Sequence, residues 1–290
     1  MKIQVAEHYG LCFGVRDAIA QAEQLAHQGP LTVLGELVHN PVVRERLMQW
    51  GIREGALADR HSAETRHVMI TAHGASDAAR IEWRNAGFTL ADGTCPLVRQ
   101  AHEKLRALVA EGFAPVVVGK RGHVEVEGLT GDFPGACVIE SPNDLDHLPK
   151  TGRLGVISQT TQPLEKVLAV VAAIRAARPD SEVRFCDTVC QPTKNRQTAL
   201  RKLIEECDTL VVVGGRNSNN TLQLVAAAAA AGRAVHHVER AAELRAEWFR
   251  DAQIVGLTAG TSTLKETVAT VRTRLEVIAA DLEATTRRIS

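Results

Sequence analysis

The sequence predicts an α/β fold with largely parallel sheets, divided over three small lobes. Three observations carry that reading. Short β-rich runs alternate with longer helical patterns from end to end. Each third of the chain holds one cysteine in a turn-like stretch that opens a helical pattern, together with several strand-loop-helix units. Hydrophobic residues make up 45% of the 290, with Gly, Pro and Ser spread out rather than pooled into a linker, so folding throughout is expected. In order, the strand runs are KIQVA, LTVLG, HVMITA, PVVVG, ACVIE, GRLGVIS, EVRFC, TLVVVGG, AVHHV and QIVGLTAG. Between them lie helical patterns over 15–27, 41–49, 96–111, 163–177, 193–206, 220–231 and 263–283. No local sequence repeat is visible. The lobes are placed at 1–95, with the N-terminal cysteine segment, at 96–192, and at 193–290 with the C-terminal helix.

Formal net charge is zero and no Lys/Arg block stands out, which argues against nucleic acid or an anionic membrane as partner and leaves a small molecule as the default. No apolar run reaches transmembrane length and the N-terminus lacks a long apolar leader, so a cytoplasmic protein is expected. Six cysteines are too sparse for a disulfide scaffold.

Cys12, Cys95 and Cys190 stand in GLCFGV, DGTCPLV and TVCQPTKNRQ, too far apart for a local metal loop. Cys95 followed by Pro96 reads as a cap and first helical residue. A thiol at a helix N-terminus is favoured as thiolate, the form that binds metal. Three of them point to an iron-sulfur cluster with one position left open. Cys137 and Cys207 read as core thiols, while Cys186 is an alternative ligand or a strand end.

Ligands of open α/β sheets bind at the carboxyl ends of strands. The loops there carry Glu36 and His39, His73, His123 and Glu125, Gln159 with Thr160 and Thr161, Asn217 to Asn220, and Thr261 to Thr263. Imidazole, hydroxyl and amide groups near helix N-termini suit a diphosphate. No Walker loop is present, so a nucleoside triphosphate is not indicated. Glu125 is a candidate proton donor with Glu127 as competitor. Strand-like alternation would put both on the face of His123, and Thr160 would orient Glu125 or relay its proton through a hydroxyl.

Taken together, GLCFGV, ELVHN, TAHGAS, DGTCPLV, GHVEVEG, SQTT, CQPTKNRQ, GGRNSNNT and TAGTS resemble, in order and approximate spacing, the LytB/IspH family of 4-hydroxy-3-methylbut-2-enyl diphosphate reductases. The resemblance covers nearly the whole chain. It implies a trefoil of three α/β lobes around a central iron-sulfur site, and reductive removal of a hydroxyl from an allylic diphosphate at the end of the non-mevalonate isoprenoid pathway. It implies Cys12, Cys95 and Cys190 as ligands of one 4Fe-4S cluster with an open apical iron, which oxidation would convert to a 3Fe-4S form. It implies His39, His73, His123, Ser218, Asn219, Asn220 and Ser262 as diphosphate-binding, Glu125 as proton donor with Thr160 its neighbour, and a ferredoxin or flavodoxin as electron donor. Asn219 stands where relatives often have a second serine, Val124 where proline is frequent, and Thr263-Leu264-Lys265 where a proline-acidic pair is common. A redox-neutral iron-sulfur hydro-lyase, and a sensor holding a cluster or zinc, are the competing readings.

Overall fold

Parallel strands need crossover connections, and the alternation of β-rich and helical segments supplies them. The structure, a computed structural model, describes residues 1–289, with side chains to Thr285. The first part of the chain forms β1 (Lys2–Val5), α1 (Phe13–Gln28), β2 (Leu31–Leu34), α2 (Pro41–Gln49), β3 (Arg53–Gly55), β4 (His67–Ile70), α3 (Asp77–Asn85) and β5 (Thr89–Asp92). The middle forms α4 (Pro96–Ala110), β6 (Ala114–Val118), α5 (Val124–Thr130), β7 (Cys137–Ile139), β8 (Arg153–Ser158), α6 (Leu164–Ala177) and β9 (Glu182–Phe185). The remainder forms α7 (Gln191–Glu206), β10 (Thr209–Val213), α8 (Asn219–Ala230), β11 (Ala234–Val238), β12 (Ile254–Ala259) and α9 (Lys265–Ile289).

These strands make three parallel four-stranded sheets, ordered β3-β2-β4-β5, β7-β6-β8-β9 and β11-β10-β12-β1. Numbered within each lobe, all three read 2-1-3-4. The third sheet closes with the chain's own beginning, since Lys2 pairs with Ile254 and Val5 with Leu257. The lobe boundaries read from sequence grouped Lys2–Val5 with the first lobe, whereas its hydrogen bonds run to β12. Two compact units result. One comprises Met1–Phe13, Val38–Glu45 and the chain from Gln191, and holds the third sheet; the other comprises Gly14–Leu37 and Arg46–Cys190, and holds the other two.

Strands covered on both faces must be apolar on both. In β6, Val116 and Val118 pack with Val167, Val170, Val171 and Ile174 of α6, whereas Val117 packs with Leu105 and Leu108 of α4 and with Val126 and Leu129 of α5. Each such side chain contributes roughly 1.5–3 kcal/mol by leaving water. In the first sheet Trp83 packs on Leu34 and Val68, and its indole N–H donates to the Leu57 carbonyl at 2.9 Å.

All ten predicted strand runs contain a strand, and each predicted helical pattern contains a helix. Four elements lacked a sequence signal. Strands β3 (REG) and β5 (TLAD) are short sheet edges without an apolar run. Helix α3 is largely polar, anchored by its Ser76 cap and by Trp83, and α5 has only seven residues, GHVEVEG having read as an extended loop. Among the described residues no helix is long and apolar enough to cross a membrane.

Candidate functional site

In a 2-1-3-4 sheet the connections leave strands 1 and 3 toward opposite faces, so the carboxyl ends of those two strands border a natural crevice. The candidate residues fall into that frame lobe by lobe. His39, His123 and Ser218 follow the first strand of their lobe (β2, β6, β10), and His73, Thr160 and Ser262 follow the third (β4, β8, β12). Cys95, Cys190 and Cys12 follow the fourth (β5, β9, β1).

One backbone contact repeats three times. Cys95 donates its N–H to the Ala72 carbonyl at 3.0 Å, Cys190 to Thr160 at 2.9 Å and Cys12 to Thr261 at 3.2 Å. Each acceptor lies two residues past the end of the third strand of its lobe. A helix begins at the next residue in every case, at Pro96, Gln191 and Phe13, so each thiol stands at a positive helix end. All three are half-buried. A Cβ at Gly14 would overlap the Cys95 sulfur, and glycine there keeps the space around that thiol open. The loop of Cys190 is fastened from beneath, where the buried Thr188 hydroxyl accepts from the Ser158 N–H at 2.8 Å and donates to the Ser158 carbonyl at 2.6 Å.

Among the described residues no three His, Cys, Asp or Glu side chains converge tightly enough to grip a single metal ion. A thiol at a positive helix end, with the space beside it kept clear as Gly14 keeps it at Cys95, is the kind of donor an iron-sulfur cluster takes. The remaining cysteines are poorer donors. Burial, with Glu206 and Asp208 nearby, pushes the Cys207 thiol up to about 11. Burial also raises the Cys137 thiol, which donates to the His147 carbonyl at 3.3 Å. Cys186 ends β9, its N–H bonded to the Val156 carbonyl, and packs partly against the α4 core.

The second lobe builds an acid. His123 caps α5, its Nδ1 accepting from the Glu125 N–H at 3.1 Å, which leaves Nε2 as the protonated nitrogen of a neutral ring. Glu125 is 1% exposed and its Oε1 accepts from the Thr160 amide at 2.6 Å. Burial raises its carboxyl to about 7, against the opposing pull of the Thr160 hydrogen bonds. Glu127 is exposed. The alternation argument therefore fails: on a helix two residues are about 200° apart, so Glu125 and Glu127 take opposite faces. The Thr160 contact also runs through its backbone amide as well as its hydroxyl. His73 joins this group, its ring 5.6 Å from that of His123 in an edge-on arrangement. Val124 takes the first helical position, where a proline's missing N–H would cost nothing.

The third lobe builds an uncharged cradle. Ser218 caps α8, accepting from the Thr221 N–H at 3.4 Å. Asn219 and Asn220 are the first two helical residues, both buried. Asn220 Oδ1 accepts from the Thr261 N–H at 3.0 Å, which leaves its amide NH₂ as the donor end of the side chain. Ser262 is 4% exposed and its hydroxyl has no hydrogen-bond partner among the described residues. A buried hydroxyl left so costs about 1–3 kcal/mol unless a ligand or water answers it. The His39 carbonyl presses on Gly215, where a Cβ would collide with it, so His39 is held against the loop that leads into Ser218.

Reading by sequence missed Gly14 and Thr188, although both lie inside the cysteine motifs, and it placed Asn40 and Thr261 in the strand-end loops without their backbone roles; Asn40 caps α2 through Val42 at 3.0 Å. Their roles are backbone contacts, which no side-chain pattern announces.

Three comparisons bear on this arrangement. The family model described as LytB protein matches residues 3–276. The chain is 35% identical over 283 residues to a 4-hydroxy-3-methylbut-2-enyl diphosphate reductase of Aquifex aeolicus, covering 95% of this chain and 96% of that one. It is 36% identical to the reductase of the same name from Geotalea daltonii, covering 97% and 99%. Among solved structures, the E-1-hydroxy-2-methyl-but-2-enyl-4-diphosphate reductase of Plasmodium falciparum superposes with a TM-score of 0.88 at 26% identity, over 94% of this chain and 87% of that one.

Proposed function

This chain belongs to the LytB family, and on that premise we propose that it is an iron-sulfur oxidoreductase acting on 4-hydroxy-3-methylbut-2-enyl diphosphate. It removes the C4 hydroxyl with two electrons and two protons, giving water and isopentenyl or dimethylallyl diphosphate, the last step of the non-mevalonate isoprenoid pathway. The observation that carries the reading is Glu125, a buried carboxyl poised near neutrality beside two histidines and one backbone contact away from a cysteine loop.

Cys12, Cys95 and Cys190 would hold a 4Fe-4S cluster. When bound, the cluster supplies the electrons and a Lewis-acidic iron. The protein supplies position and protons. His39, His73, His123, Ser218, Asn219, Asn220 and Ser262 bind the diphosphate, the serine hydroxyls and asparagine amides donating hydrogen bonds to its oxygens. Ser262 gains in this way the partner it lacks among the described residues. With Oε1 occupied by the Thr160 amide, protonated Glu125 carries its hydrogen on Oε2 and delivers it to the departing hydroxyl. A carboxyl with a pKa near 7 holds that proton at neutral pH and still releases it, which an exposed glutamate does not. A cytoplasmic setting, with a small ferredoxin or flavodoxin as electron donor, completes the proposal.

The test is to purify the protein without oxygen and measure iron, sulfide and turnover of 4-hydroxy-3-methylbut-2-enyl diphosphate with a chemical reductant. About four irons per chain together with C5 diphosphate products are expected. Cluster without turnover would favour the hydro-lyase or sensor, and zinc in place of iron would sink the proposal.

A further inference from the structure

The loop of His73 and the loop of Cys95 leave neighbouring strands, β4 and β5, and a single guanidinium joins them. Arg80, in the first turn of α3, has a side chain only 12% exposed. Its Nη1 donates to the Ala75 carbonyl, two residues past His73, and its Nη2 donates to the Thr94 hydroxyl at 3.0 Å, one residue before Cys95. Its Nε faces Asp92 at 3.3 Å, and Asp92 in turn accepts from the Thr94 amide at 3.0 Å and from the Thr94 hydroxyl. A direct contact, Cys95 N–H to the Ala72 carbonyl, closes the ring.

The same turn touches the acid helix. Gly128 of α5 lies so close to the Ala75 backbone that an added Cβ would meet it at 3.3 Å. The first amides of α3, Asp77 and Ala78, are capped by the Asp132 carboxylate from the loop after α5, at 2.8 and 3.0 Å. Residues 73–76 are thus the place where the histidine, the cysteine and the helix of Glu125 are fixed to one another. Only a planar fork with donors on several edges can hold Ala75, Thr94 and Asp92 together; a lysine ammonium spans fewer of them.

We infer that Arg80 is a positioning residue of the reaction: its guanidinium staples the diphosphate-binding loop of His73 to the cluster-ligand loop of Cys95. The inference rests on the reductase reading above. Arg80 itself touches neither substrate nor cluster. Its effect is to fix the separation between the diphosphate and the reacting end of the substrate, and positional errors of about 1 Å cost up to roughly a hundredfold in rate.

The experiment compares the anaerobically purified holoenzyme with its Arg80→Met, Arg80→Lys and Thr94→Val variants. Three quantities are read: iron and sulfide per chain, the affinity for inorganic diphosphate by calorimetry, and kcat and KM separately. Arg80→Met slackens both loops, so diphosphate affinity falls by about tenfold and iron content drops with it. Arg80→Lys recovers part of each loss. Thr94→Val cuts only the cysteine side of the staple, so it loses iron while diphosphate affinity stays within about twofold. That variant keeps the test decisive should Arg80→Met not fold. Arg80→Met with unchanged iron and diphosphate affinity overturns the assignment, as does a variant that lowers the melting temperature and nothing else. A parent protein holding no iron and forming no product overturns the reductase reading and the assignment with it. A loaded, active parent matched by its Arg80→Met variant overturns the assignment alone.

Discussion

The second and third lobes build corresponding places from one plan and put different chemistry there. In each, a capping residue follows the first strand: His123 in one, Ser218 in the other. In each, the second helical residue accepts a hydrogen bond from the amide two residues beyond the third strand, Thr160 N–H to Glu125 and Thr261 N–H to Asn220. In each, the carbonyl of that same residue accepts from a cysteine N–H. At the second helical position the difference is a carboxyl against an amide. The helix end and the amide donor both favour a carboxylate, yet burial outweighs them and holds Glu125 near pKa 7. The lesson is that a shared backbone frame presents a buried titrating carboxyl in one lobe and a buried neutral amide in the other, according to which residue takes the second helical position.

The largest expected effect comes from removing that difference on the acid side. Glu125→Gln keeps the acceptor for the Thr160 amide and should keep the full iron content, yet turnover should drop by about 10²–10⁴-fold; undiminished single-turnover rates would show that the acid lies elsewhere. On the cradle side, Asn220→Asp should weaken inorganic diphosphate binding by about a hundredfold, because like charges meet in a buried place. Calorimetry at neutral pH measures it, and an unchanged affinity would remove Asn220 from the diphosphate site.

The pH dependence separates the lobes next. As the proposed proton donor Glu125 would act in its protonated form, so kcat/KM should fall by about tenfold per pH unit above its folded pKa of about 7. Ser218, Asn220 and Ser262 of the third lobe carry no titrating side chain, so substitutions there should lower affinity without moving that limb. The stability sign agrees. A carboxyl raised from 4.5 to about 7 contributes stability that is fully present below pH 4.5 and is lost as pH rises through 7. That loss, on the order of 3 kcal/mol, should vanish in Glu125→Gln when urea midpoints are compared across pH.

The smallest effect concerns Ser262. Because its buried hydroxyl has no partner among the described residues, Ser262→Ala should leave the ligand-free protein unchanged or up to about 1 kcal/mol more stable, while diphosphate affinity falls by about tenfold. A clear destabilisation would mean that the hydroxyl serves the fold rather than the ligand.

Much of this was legible in the chain alone. Continuous apolar runs such as TLVVV and RLGVIS announce strands buried on both faces, and Pro96 after Cys95 announces a helix start. The motifs named the cysteines, the histidines and Glu125. Their residue spacing alone did not separate Glu125 from Glu127, because a seven-residue helix and a strand predict opposite answers and its few residues carry no period strong enough to choose. Nor did they mark Arg80, whose partners are a carbonyl, a hydroxyl and a carboxylate from other loops.

The sequence by itself determined the α/β class, the three cysteines at helix starts and the polar residues at strand ends, because those follow from local periodicity and from which side chains can do the chemistry. Only the tertiary structure decided that the lobes share a 2-1-3-4 order, that β1 completes the last of them, and that one glutamate is buried while its neighbour meets water. Strand order, register and desolvation depend on residues distant in the chain, and no window of sequence contains them.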